Sequence, residues 1–188
     1  MRAPELRGAP RCAQAWIELL AGDPEAISAL AVARSRLEAG HEITWLKRLR
    51  LFELRGSLPT RPRLERLLHA SIQFYNPHKE RCLVRTAPHE AAPIPAGRPV
   101  VVVTERGGER RPAAERWWRH QTGSDIEVRE GVAWVLEFAP GADPALAREL
   151  AMVRDRRHGL LCNPHSQDAT IVLGKVPLPC LGQTPAVA

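Results

Sequence analysis

The chain has 188 residues, 44% of them hydrophobic, and a formal net charge of +6. That length suits one domain or two small lobes, with enough apolar content for a core. No apolar run approaches the roughly 20 residues needed to span a bilayer, and Gln14 and Glu18 interrupt the first apolar stretch, so the expectation is no membrane span, no signal peptide and a cytoplasmic location.

The N-terminal third reads as helical. Trp16, Ile17 and Leu20 suggest a short helix over about 10–20. Asp23-Pro24-Glu25 is a helix start: a capping carboxylate, a proline at the first position and an acid at the positive end. Ile27, Leu30, Arg34 and Leu37 line one face of that helix, which stops at Gly40. Trp45, Leu46, Leu49 and Phe52 predict a third helix over 43–54. Leu64, Leu67 and Leu68 predict a fourth over 60–70.

The pattern then changes. Strands are predicted at 81–86 and at 100–104, where four valines and a threonine follow a proline-rich linker. A helix over 112–122 carries Trp117 and Trp118. A hairpin is expected over 126–138, turning at Glu130-Gly131. A helix follows from Asp143 to about His158, with Leu146, Leu150 and Val153 inward. The last strand is placed at 170–176. The fold class is therefore α+β. A helical lobe over 1–70 precedes a β-rich lobe over 71–180, with a mixed, mainly antiparallel sheet and two helices, and then a flexible tail over 181–188.

Two segments look alike: Phe74-Tyr75-Asn76-Pro77-His78 and Leu161-Cys162-Asn163-Pro164-His165, each followed by a strand. A common turn, in which asparagine bonds its own backbone and proline fixes φ, accounts for them. A duplicated half-fold is the alternative.

Three chemistries are compatible with the side chains present. His158, Cys162 and His165 have a spacing zinc accepts, but paired close cysteines are missing and Cys12, Cys82, Cys162 and Cys180 read as free thiols. Cys162 with His165 would also suit thiol catalysis if held together in space. Arg106, Arg110, Arg111, Arg116 and Arg119 surround Trp117 and Trp118, which suits single-stranded nucleic acid or a protein interface. Hydrolase and phosphate-loop motifs are not found. If the hairpin or the 100–104 strand lay at a sheet edge, it would offer its backbone to an extended peptide.

In size, in a helical first part followed by strands, and in the stretch Phe-Tyr-Asn-Pro-His-Lys-Glu-Arg-Cys-Leu-Val-Arg from Phe74 to Arg85, the chain resembles the accessory subunit that accompanies the iron-dependent oxygenase of methanobactin biosynthesis. The resemblance implies a heterodimer with that oxygenase and help in holding a ribosomally made precursor peptide while its cysteines become oxazolone and thioamide groups. No catalytic site and no cofactor are then expected in this chain, with iron in the partner. A basic leader peptide would meet Asp125, Glu127 and Glu130. The alternatives are a basic single-stranded nucleic-acid-binding protein and a small zinc or thiol protein.

Overall fold

A computed structural model describes residues 11–181. It is α+β, built on one six-stranded sheet in which every pairing is antiparallel. In chain order the strands are β1 (Cys12–Leu19), β2 (Ile43–Gly56), β3 (Glu80–Arg85), β4 (Val100–Glu105), β5 (Ile126–Phe138) and β6 (Gln167–Val172). The helices are α1 (Pro24–Arg36), α2 (Arg61–His69), α3 (Pro112–Thr122) and the short α4 (Ala147–Ala151).

The expected helices over 10–20 and 43–54 are strands, and Pro10 lies outside the described residues. The reason is burial on both faces. A strand in mid-sheet is apolar at odd and even positions alike, so its run mimics a helical stripe. On β2, Phe52 and Leu54 point to one core, and Leu49 and Leu51 to another. The expected helical lobe over 1–70 is accordingly two strands and two helices, and both strands belong to the common sheet. The expected hairpin is one continuous strand. Glycine at 131 leaves room where a Cβ would crowd Leu181 Cδ2 and the Val103 carbonyl oxygen, each at 3.0 Å. The expected helix over 143–158 shrinks to a 3-10 turn and α4, after which Met152 bridges Cys162. Of the tail over 181–188 only Leu181 is among the described residues, and it is buried.

The strand order β3-β1-β2-β5-β4-β6 reads the same from both ends once β1 is matched to β4, β2 to β5 and β3 to β6. Registers agree. Ile17 faces Arg50 and Cys82 in the first half, as Val103 faces Val132 and Ala169 in the second. Arg50 and Val132 also face each other across β2 and β5, so a pseudo-twofold axis passes between them.

The two asparagine turns occupy matching places. Asn76 Oδ1 accepts from His78 N–H at 3.1 Å, and Asn163 Oδ1 from His165 N–H at 3.0 Å. Asn76 N–H donates to Glu80 at 2.7 Å, and Asn163 N–H to Gln167 at 2.9 Å. Leu20 N–H reaches the Lys79 carbonyl at 2.9 Å, and Arg106 N–H the Ser166 carbonyl at 2.8 Å. The shared turn therefore recurs at matching places of two topologically equivalent halves. The chain is a β-α-β-α-β unit written twice.

Helices cover one face in two cores, each mixing the halves. Trp118 of α3 packs with Leu64 and Leu68 of α2, while Ala26 and Ala33 of α1 pack with Leu150 of α4. On the other face Trp16, Leu49, Val102 and Val135 lie under Val176, Cys180 and Leu181. A polar network anchors that final segment. The buried Glu53 carboxylate accepts from Cys180 N–H at 2.6 Å and Leu181 N–H at 3.1 Å, and buried Arg85 donates to the Val176 carbonyl at 2.8 Å.

Candidate docking edge

The structure does not bring the candidate metal or thiol residues together. Cys162 is fully buried, whereas His165 is exposed. His158 turns to Asp155, its Nδ1 at 2.9 Å from that carboxylate, and its Nε2 lies 3.4 Å from Glu38. Among the described residues no three His, Cys, Asp or Glu side chains converge on a point that could hold a metal ion. Burial pushes the Cys162 thiol up, and pushes Cys82 and Cys180 up to about 12 and Cys12 to about 11. A reactive thiolate needs the opposite shift.

The arginine–tryptophan cluster is largely turned inward or paired. Trp118 is completely buried, and Trp117 packs edge-on to Phe74 with ring centroids 5.9 Å apart. Stacking on a nucleobase needs a free ring face. Arg106 pairs with Asp168 at 3.0 Å, Arg110 with Glu115 at 2.8 Å, Arg111 with Glu130 at 3.1 Å, and Arg119 with Asp125. Arg116 is exposed and has no carboxylate partner among the described residues. Two of the acids proposed for a leader peptide, Asp125 and Glu130, are the other halves of these pairs. Glu130 also meets Arg50 at 2.9 Å, and Glu127 is bonded by Arg129. Each is already neutralised from within.

Backbone donors and acceptors remain. The expected docking strands, β4 and β5, lie inside the sheet, and its edges are β3 and β6. In an antiparallel ladder backbone groups alternate between the two sides of a strand. Lys79 bonds Leu20, so Arg81 and Leu83 face β1 while Cys82 and Val84 face outward. By the same rule Ser166 bonds Arg106, so Asp168 and Thr170 face β4 while Ala169 and Ile171 face outward.

The two edges are finished differently. At β3 the Arg61 guanidinium donates to the Val84 carbonyl at 2.9 Å, and the Glu90 carboxylate accepts from Thr86 N–H at 2.7 Å just beyond the strand. Arg61 is itself fixed by Glu65 at 3.0 Å and Glu90 at 3.1 Å. At β6 no side chain among the described residues bonds the outward backbone of Ala169 or Ile171. The strand reads Gln-Asp-Ala-Thr-Ile-Val, and the following Leu173 is 42% exposed. Native edges are commonly blunted by charge or proline, and from Ala169 to Leu173 this one carries neither.

The resemblance drawn above rested partly on a helical first part, and that layout is not what the fold has. Its remaining basis is the chain's size and the stretch from Phe74 to Arg85, which forms two buried aromatic residues, the first asparagine turn and β3. No helix among the described residues is long and apolar enough to cross a membrane. Compared with protein-family models, with curated proteins and with solved structures, the chain finds no match.

Proposed function

We propose that this protein is a non-catalytic binding subunit that accepts an extended segment of another chain as a seventh strand beside β6. The observation that carries the reading is the unfinished backbone of Ala169 and Ile171, set against the blocked edge at Val84. Strand addition draws affinity from main-chain hydrogen bonds and specificity from alternate side chains, so it needs no sequence motif. It also fits a chain whose charged groups are already largely paired.

In its specific form the proposal is an accessory subunit bound to an iron-dependent oxygenase, helping to present a ribosomally made precursor peptide, with the iron held by the partner. That form rests on the resemblance in size and in the Phe74–Arg85 stretch. The test is purification of the tagged chain from its host at moderate salt, alongside the Ile171→Pro variant. Ile171 N–H points away from β4, so proline there removes a docking donor without removing a ladder bond. One stoichiometric protein or peptide partner, lost with Ile171→Pro, supports the proposal. A partner retained by the variant, or nucleic acid alone, overturns it.

A further inference from the structure

We propose that the groove between α2 and β3 is a binding site for a small carboxylate carried on a flat apolar body. Pro62, Glu65, Arg66 and His69 recur at three- and four-residue intervals, so they form one row along α2. Cys82 and Val84 alternate on β3 and point to that same side of the sheet. Together with Tyr75 they line an open groove of about 680 Å³, a size that suits a small organic ligand.

The floor is apolar: the Val84 side chain, the Tyr75 ring and a Cys82 thiol that burial keeps protonated. The rim carries the charge. Glu65 is occupied by Arg61 at 3.0 Å, and His69 Nδ1 bonds the Tyr75 hydroxyl at 2.9 Å. Arg66 has no side-chain hydrogen-bond or ion-pair partner among the described residues, whereas Glu65 and His69 each have one. A guanidinium above an apolar floor matches a carboxylate with an aromatic or alicyclic tail, the acid taking two parallel hydrogen bonds. An added strand does not fit here, because Arg61 occupies the Val84 carbonyl. The second half has no counterpart, since α4 spans five residues where α2 spans nine.

The test is an amide NMR titration of the full chain with 4-phenylbutyrate, and with 4-phenylbutan-1-ol as the neutral match. The expected result is saturable shifts confined to residues 63–69, 75 and 80–84, with the acid favoured over the alcohol. Arg66→Ala should weaken the acid by about tenfold and leave the alcohol unchanged. Arg66 is exposed, so its removal leaves the core intact. Absence of saturation, shifts elsewhere, or an unchanged affinity in Arg66→Ala overturns the proposal. The groove lies at the edge opposite β6, so Ile171→Pro should bind the acid normally, and the two sites stand or fall separately.

Discussion

Val84 and Ile171 hold the same place at opposite ends of the sheet: the first faces Ala15 on β1, and the second faces Val101, the counterpart of Ala15 on β4. The Val84 carbonyl is capped by Arg61, while no side chain among the described residues bonds the Ile171 carbonyl. The two edges match in register and differ at this carbonyl, while on β6 the outward backbone is reached at Gln167, whose carbonyl accepts from Arg106 at 3.3 Å.

Proline scanning of β6 should therefore alternate in effect. Ile171→Pro and Ala169→Pro should leave the thermal midpoint nearly unchanged while abolishing partner binding. Thr170→Pro should cost about 3 kcal/mol, because its N–H belongs to the ladder with β4. Urea unfolding of the three variants checks this. Equal losses at all three positions would show that the outward groups are not free.

The matched turns should be worth matched amounts. Asn76→Ala and Asn163→Ala each remove one side-chain bond to the backbone, at 3.1 and 3.0 Å, and each should cost about 1 kcal/mol. Chemical denaturation of the two variants and of the double variant measures it. The double loss should be the sum of the two, since the turns sit in different halves.

Glu53 holds the end of the described chain. Glu53→Ala leaves the Cys180 and Leu181 N–H groups without their acceptor and Arg55 without its pair, and should destabilise by about 3–5 kcal/mol. Glu53→Gln, which keeps an acceptor oxygen, should lose less. Hydrogen exchange should show residues 176–181 opening first in both.

Glu127 contributes to acid sensitivity. The Arg129 side-chain bond outweighs desolvation and holds the Glu127 carboxyl below the usual carboxylate range. A carboxylate depressed in the folded state gives stability that is present above its unfolded value of about 4.3 and is lost as pH falls through the folded value. Arg129→Gln should then reduce the difference in urea midpoint between neutral and acid solution. An unchanged pH profile would mean that the pair is fully screened.

Much of the second half was legible in the sequence. Four consecutive valines ending in threonine are β4, and Pro112 to Thr122 is α3, stopped by Gly123 at φ 72°. Asp23 caps α1 as its position suggests, accepting from Glu25 N–H at 2.9 Å. The first half was obscured because β1 and β2 are buried on both faces. Trp16 lies in one core and Ile17 in another, so neither strand shows a clean alternation. Gly131 looked like a turn, but its lack of a side chain serves the approach of Leu181 from a distant part of the chain. The charged residues were visible and their pairings were not, since Arg111 meets Glu130 only once α3 is laid on β5. An open edge has no composition of its own. It depends on strand order, which no local pattern in β6 records.

The most direct measurement is hydrogen exchange, followed by mass spectrometry, on the chain alone and in the complex isolated from its host. Residues 167–173 should exchange readily in the free chain and be strongly protected in the complex, with β3 unchanged. Protection confined to β3, or to Arg106–Arg119, with β6 unaltered, would contradict strand addition at this edge.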